Sequence, residues 1–373
     1  MNRGSIFHFF DGVKNGSFFG EAYKRPDADQ LMRERVLAAI RFGSEGHRAG
    51  GLWKRCLSTT VNALMYSGCA VLLPRLAQPV DKDHWMTANN KECPVCHAGL
   101  VPGLQDWHLK CPACRYESAA LEPVINSDPA HEMIDEQARE DGLRALRVSN
   151  FTTLLERIKS ERSSGRLLEV GCAHGWFLEL AQQSFEVVGI EPDKAVVEAV
   201  SHKGLPVRQG YFPQALDAHE RFDVIVFNDV IEHIPDITQV IEQCHRHLND
   251  GGLLVLNLPS SDGVFYRLSK LLARLSLRNP FERLWQKGLP SPHVHYFNRR
   301  NLEQLITRHD FVTMTDGKLP TLSLDGLHAR ISYTGDLGRF SRAFIYTCVA
   351  LSLPILNRLP GDIFYSISQK KAG

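Results

Sequence analysis

The chain has 373 residues, 43% hydrophobic and 23% charged, with a formal net charge of +1. That length suits one α/β domain of roughly 220 residues plus additions, and the near-neutral balance removes any global electrostatic case for nucleic acid as partner. Nine cysteines, four of them in two tight pairs, exclude a small secreted disulfide scaffold and fit a reducing cytoplasm with one metal site.

Residues 1–90 form an N-terminal extension without a chemical motif. They lack the basic, apolar, small-residue order of a signal peptide. The best apolar stretches, Val61–Ala77 and Ala343–Leu356, are short and interrupted, so a protein that does not span a membrane is expected.

Residues 91–118 carry Cys93-Pro94-Val95-Cys96 and Cys111-Pro112-Ala113-Cys114, two knuckles separated by fourteen residues. Four thiolates at this spacing can close a tetrahedral Zn2+ site. Cys93, Cys96, Cys111 and Cys114 complete the shell without His97 or His108. A closed shell makes the zinc structural, and in so small a segment the metal supplies folding energy. Residues 119–165 read as a helical linker, with Leu143, Leu146, Phe151, Leu154, Leu155 and Ile158 as a partial apolar stripe.

From residue 166 strands and helices alternate. Arg166–Val170 is a strand ending in a glycine turn, and Trp176–Gln183 is a helix. Glu186–Ile190 is a strand with Glu191 at its tip. Asp193 caps a helix that stops at Gly204. Val207–Gln209 and Phe222–Asn228 are strands. Asp236 caps a helix with Ile237, Val240, Ile241, Cys244 and Leu248 on one face. Gly251-Gly252 ends that helix, and Leu253–Leu258 is the next strand. Leu302–Ile306 lies in a helix, and Phe311–Thr315 and Ile363–Ile367 are the last strands. Apolar strands separated by helices predict an α/β fold with a parallel sheet covered on both faces.

The turn after the first of these strands is Gly171-Cys172-Ala173-His174-Gly175. A dinucleotide site needs a further glycine in this turn to admit a pyrophosphate. Glu169, just before the turn, repels a pyrophosphate but suits a cationic amino-acid group. Glu191 can accept hydrogen bonds from both ribose hydroxyls. These features favour S-adenosylmethionine over NAD.

Four segments in order, LEVGCAHG, GIEPD, FDVIVFNDVIEHIPD and LNDGGLLVLNLP, resemble the class I methyltransferases. With PHVHYF they resemble the group containing the ubiquinone-pathway O-methyltransferases. The resemblance implies a doubly wound, seven-stranded, mostly parallel sheet over residues 166–373, behind the small zinc ribbon. It also implies that Glu169 and the Gly171 backbone hold the methionine end, with Cys172 and Gly175 in the same turn. Glu191 would hold the ribose beside Pro192 and Asp193, Phe212 would pack on adenine, and Asn228 would approach the methionine. Two departures stand out: Ala173 occupies a position that is often glycine, and Tyr211-Phe212 replaces the acidic residue that many relatives place against the adenine amino group.

Methyl transfer to a hydroxyl is helped by a base. Asp229, Glu232, His233, His293 and His295 are the candidates, with the three histidines foremost. Insertions at 260–298 and 318–360 are expected to act as lids. In the first, Val264, Phe265, Leu268, Leu271, Leu272 and Leu275 share a helical face opposite Arg267, Lys270, Arg274, Arg278, Arg283 and Lys287, with only Glu282 opposing their charge. A basic amphipathic segment of this kind can rest on an anionic membrane. The expected acceptor is a small molecule, a saccharide or a lipid-linked compound, and the expected location is the cytoplasm, with peripheral contact at the inner face of the membrane. An RNA methyltransferase would use the ribbon for substrate contact, but Lys110, Arg115, Trp107 and Tyr116 are thin for that role. A non-catalytic scaffold that binds cofactor or zinc is the reading from another class.

Overall fold

The computed structural model describes residues 92–123, 136–324, 327 and 339–372. The N-terminal extension and the stretch Val61–Ala77 lie outside the described residues, as do the start of the linker and part of the second insertion.

The ribbon contributes β1 (Val101–Pro102), β2 (His108–Lys110) and β3 (Glu117–Ala119). Helix α1 (Glu136–Glu161) leads into the main domain. There, β4 (Arg166–Val170), α2 (Trp176–Ala181), β5 (Glu186–Glu191), α3 (Lys194–Ser201), β6 (Val207–Gln209), β7 (Phe222–Asn228), α4 (Ile237–His247) and β8 (Leu248–Pro259) follow in turn. The first insertion holds α5 (Val264–Arg274), α6 (Asn279–Leu284) and β9 (His295–Tyr296). The chain closes with α7 (Arg299–Thr307), β10 (Phe311–Leu319), α8 (Arg339–Leu356) and β11 (Ile363–Lys370).

The expected seven-stranded sheet is present, in the order β10-β11-β8-β7-β4-β5-β6. The β4, β5, β6, β7 and β8 pairings are parallel, and β11 runs antiparallel to both β8 and β10. Strand periodicity sorts the apolar side chains to the two faces. Leu168, Ile225, Phe227, Leu254 and Leu256 pack on one side with Ile237 and Ile241 of α4. Leu167, Val224, Val226 and Val255 pack on the other with Leu154 and Ile158 of α1 and Phe177 of α2. Each such side chain, fully buried, contributes roughly 1.5–3 kcal/mol.

Capping fixes the helix starts. Asp193 accepts from the Ala195 and Val196 amides at 2.8 and 3.2 Å, and Asp236 accepts from Gln239 at 3.0 Å. The end of α4 differs from expectation. The helix stops at His247, and β8 already begins at Leu248, so Leu248 and Gly251-Gly252 belong to the strand. Phe222 pairs with Leu248 but Val224 pairs with Leu253, so residues 249–252 bulge out of register. Gly251 supplies the φ of +70° that the bulge requires.

The ribbon is built into this domain. Its sheet is completed by β9 from the first insertion, in the order β1-β2-β3-β9. Cys93, Val95, Cys111 and Tyr116 share one core cluster with Leu302, Leu305 and Ile306 of α7. On the insertion side, Trp107 packs with Tyr266, Phe281, Trp285 and Tyr296. The insertion is therefore clamped between ribbon and sheet.

Candidate functional site

The carboxyl ends of β4, β5, β7 and β8 form the edge at which ligands bind in a doubly wound sheet. Glu169 is the penultimate residue of β4, 2% exposed. Its Oε1 accepts from Asn228 Nδ2 at 2.9 Å, and Asn228 Oδ1 accepts from Asn257 Nδ2 at 3.4 Å. This donor chain runs across three strand tips and leaves Glu169 Oε2 buried with no hydrogen-bond partner among the described residues. Burial pushes the Glu169 carboxyl up to about 8, against the opposing effect of Asn228. A buried acceptor left over in this way suits a cationic donor, which would restore the carboxylate charge.

The glycine turn is strained where the sequence departs from glycine. Gly171 and Gly175 have φ of +70° and +76°, and a Cβ on Gly171 would meet Val230 Cγ2 at 2.6 Å. Ala173 stands in the same left-handed region at φ +42°. The amides of Gly171 and Cys172 both donate to the Ile190 carbonyl, at 2.8 and 3.1 Å. The Gly171 amide is thus used inside the turn, and its carbonyl is the group suited to a bound ammonium. The Cys172 side chain is buried in the core, so only its backbone can serve a ligand. Gly175 caps α2.

Glu191 ends β5 beside this turn. Its Oε2 accepts from the Ala173 amide at 3.0 Å and its Oε1 from the Asp193 amide at 3.1 Å. These bonds fix the carboxylate over the turn, with Pro192 between Glu191 and the cap of α3. Burial raises the Glu191 pKa. Phe212 was expected to face adenine. Instead it is buried edge-on against Phe227 and His247. Tyr211, 51% exposed, is the ring that this loop presents.

The turn after β7 carries the next group. Asp229 has φ +53° and pairs with Arg147 of α1 at 3.2 Å. Arg147 was not anticipated, because nothing in the linker sequence shows that α1 folds back over the strand tips. A 3-10 turn, Ile231–His233, then buries Glu232 at 1% exposure, with both carboxylate oxygens unpartnered among the described residues. His233 Nδ1 donates to the Pro292 carbonyl at 2.9 Å. His293 lies 4.7 Å from His233 between ring centroids, and its Nε2 is 4.0 Å from Glu232 Oε1. Burial holds the His293 pKa well below the usual range.

His295 does not join them. Its Nε2 donates to the Ile234 carbonyl at 2.9 Å, and its Nδ1 accepts from the Tyr116 hydroxyl. Burial lowers its pKa to about 4. With both nitrogens occupied by protein groups, His295 is removed from the candidate bases. Alternation in an extended segment was expected to put His293 and His295 on one face, but β9 pairs with the ribbon and commits His295 there.

The four ribbon thiols converge. Cys93 Sγ and Cys114 Sγ are 3.5 Å apart, and Cys96 Sγ and Cys111 Sγ are 3.4 Å apart. All four lie within 4.8 Å of one another. A disulfide needs about 2.05 Å, whereas sulfurs on one tetrahedral zinc stand roughly 3.8 Å apart. The residue after each knuckle, His97 and Arg115, takes a left-handed φ, +60° and +63°. His97 pairs with Glu92, and His108 Nε2 donates to buried Glu117 at 2.8 Å. Neither histidine points into the thiol cluster.

The lid charges are less open than the sequence suggested. Lys270 pairs with Glu117 at 2.5 Å, and Arg267 with Asp262 at 2.6 Å. Burial would raise the Glu117 pKa, but the bonds from His108 and Lys270 outweigh it and hold it low. Arg274 and Arg278 remain exposed, as do Leu271 and Leu275 of the same segment and Leu351 and Ile355 of α8. Among the described residues no helix is long and apolar enough to cross a membrane.

A family described as methyltransferase domain matches residues 123–315. The ubiquinone biosynthesis O-methyltransferase of Azorhizobium caulinodans is 33% identical over 99 residues, 25% of this chain and 39% of that protein. A probable S-adenosylmethionine-dependent methyltransferase of Mycolicibacterium smegmatis is 31% identical over 105 residues, 27% of this chain and 41% of that protein. The chain thus spans less than half the length of the curated relatives it matches. Among solved structures, a SAM-dependent methyltransferase from Archaeoglobus fulgidus aligns at TM-score 0.42 and 15% identity, covering 64% of this chain and all of that one. A complex of the Haloferax volcanii Trm112 methyltransferase activator with its putative methyltransferase aligns at TM-score 0.47 and 12% identity, covering 65% of this chain and 98% of that chain. With the family match extending over more than half of its length, the chain belongs to the methyltransferase-domain family.

Proposed function

We propose that this protein transfers a methyl group from S-adenosylmethionine to a hydroxyl of a small-molecule, saccharide or lipid-linked acceptor. The observation that carries the reading is the pair of glutamates at adjacent strand tips, Glu169 with a buried unpartnered oxygen and Glu191 fixed over the glycine turn. When bound, the cofactor supplies a methyl group already activated on a sulfonium. Glu169 and the Gly171 carbonyl would accept from its ammonium, and Glu191 from its ribose hydroxyls. Arg147, close enough to Glu169 to act on its charge, offers the cation that a cofactor carboxylate needs. Tyr211, the exposed ring of the loop after β6, would pack on the adenine. The burial of this edge excludes water, and the rigid strand tips orient donor and acceptor.

The ribbon cysteines would hold one structural Zn2+. Their closed sulfur shell leaves no position for substrate. The exposed leucines of the first insertion and of α8, with Arg274 and Arg278 nearby in sequence, support contact with an anionic membrane surface. That contact would place the enzyme beside a lipid-linked acceptor.

The test is calorimetric titration of the zinc-loaded protein with S-adenosylmethionine and with NAD. Saturable binding of the first alone, weakened at least tenfold by Glu191→Ala, is the expected result. Equal affinity for NAD, or no effect of Glu191→Ala, would overturn the assignment.

A further inference from the structure

Three neighbouring strands break their apolar pattern in the same way. On the face that carries Leu167, Val224 and Val255, each row of apolar side chains gives way near the carboxyl edge to a polar one: Glu169 on β4, Asn228 on β7 and Asn257 on β8. Side chains two residues apart on a strand share a face. The register sets Glu169 against Val226 and Asn228 against Asn257, so the three polar groups form one row across the sheet. They are 2%, 5% and 2% exposed. The sequence motifs assign roles to Glu169 and Asn228 and none to Asn257.

The hydrogen bonds along this row run one way. Asn257 Nδ2 donates to Asn228 Oδ1 at 3.4 Å, and Asn228 Nδ2 donates to Glu169 Oε1 at 2.9 Å. An amide side chain carries its donors on one atom and its acceptor on the other, so the orientations of the two asparagines are coupled. Turning Asn257 over would set its Oδ1 against Asn228 Oδ1, two buried carbonyl oxygens facing each other. Asn228 would then be driven to turn as well, and would present an oxygen to Glu169 in place of Nδ2. That change opposes the ionised carboxylate, which is favoured by the hydrogen bonds it accepts.

The main chain of Asn257 is held on both sides. Its carbonyl accepts from the Asp229 amide at 2.8 Å, and it pairs with Tyr365 on β11. The far end of the row shows what the orientation serves. Asn257 Oδ1 is buried without a hydrogen-bond partner among the described residues. A buried acceptor without a donor is unfavourable, so the contact that selects this orientation is the one from Nδ2 to Asn228.

We infer that Asn257 is a positioning residue for cofactor binding: through Asn228 it holds Glu169 as the carboxylate that receives the ammonium of S-adenosylmethionine. The inference rests on the proposed role of Glu169 as the acceptor for that ammonium. Asn257 acts by fixing the Asn228 amide, which commits Glu169 Oε1 to the protein and leaves Oε2 for the ligand. Burial and the charge of Glu191 oppose ionisation of Glu169, while Asn228 and, more weakly, Arg147 favour it. The relay therefore secures the stronger of the two favourable influences.

The test is calorimetric titration of the full-length, zinc-loaded protein with two probes, S-adenosylhomocysteine and 5′-methylthioadenosine. The second has the adenosine and the thioether of the first but no amino-acid end, so only the first presents an ammonium to Glu169. Asn257→Leu removes the donor and keeps the branching at Cγ, and Asn257→Ala removes it with a smaller side chain. Each should weaken S-adenosylhomocysteine by about tenfold, the scale of one hydrogen bond to a charged group, and leave 5′-methylthioadenosine within about twofold. In a Glu169→Gln background, where no carboxylate is to be held, Asn257→Leu should change S-adenosylhomocysteine affinity by less than about twofold. Equal losses for the two probes would mark a disturbed pocket and overturn the relay, as would additive losses in the double variant. Wild type and variants that bind S-adenosylhomocysteine equally would remove the relay alone. Wild type that fails to bind S-adenosylhomocysteine would remove the cofactor reading and the relay with it.

Discussion

Tyr116 in the ribbon donates its hydroxyl proton to His295 in the main domain, across 179 residues of sequence. Both are almost fully buried. His295 in turn donates to the carbonyl of Ile234, one residue beyond His233. The ribbon, the first insertion and the turn bearing Glu232 are therefore joined by one chain of hydrogen bonds. Tyr116→Phe leaves the His295 acceptor buried without a donor, at about 1–3 kcal/mol. Urea unfolding should show a lower midpoint with an unchanged slope.

The same histidine gives the fold an acid limb. Burial lowers its pKa from 6.5 to about 4. The folded state binds fewer protons than the unfolded state between these values, so its stability is present above pH 6.5 and is lost as pH falls toward 4. His295→Gln should be less stable than wild type at pH 7 yet lose less on acidification. Unfolding midpoints from pH 7 to pH 4 measure the difference. Equal losses in both proteins would refute the assignment.

Glu169 has the opposite sign. Burial raises its pKa to about 8, so the free protein holds its proton at pH 7. A cationic ligand recovers the carboxylate and expels that proton. Binding of S-adenosylmethionine at pH 7 should release close to one proton, read from calorimetry in two buffers of different ionisation enthalpy. Glu169→Gln should bind more weakly and release none.

Zinc in the ribbon should be inseparable from the domain. Cys93 and Cys111 share a core with Leu302 and Leu305, and β9 completes the ribbon sheet. Metal analysis is expected to show one zinc per chain bound by thiolates. Cys114→Ser should lower zinc content and the thermal midpoint together, by several degrees. Full zinc occupancy with an unchanged midpoint in that variant would contradict the four-cysteine site.

Leu351 and Ile355 are 73% and 65% exposed on α8. Replacing both by aspartate should abolish co-sedimentation with anionic vesicles and leave S-adenosylmethionine affinity within about twofold. Failure of the wild-type protein to sediment at low salt would remove the membrane contact.

The sequence by itself determined the sheet, the caps at Asp193 and Asp236, the glycine turn and the convergence of four cysteines, because each of these depends on local periodicity or spacing. Only the tertiary structure decided which histidines are available, that Arg147 meets Asp229, and that Tyr211 and not Phe212 is exposed. These facts depend on contacts between segments far apart in the chain. His293 and His295 illustrate the limit. They are two residues apart and alike in sequence, yet pairing of β9 with the ribbon gives one to Tyr116 and Ile234 and sets the other beside Glu232. The partner of a buried polar group is set by the distant segment that packs against it in the native fold, and that is not written in its own neighbourhood.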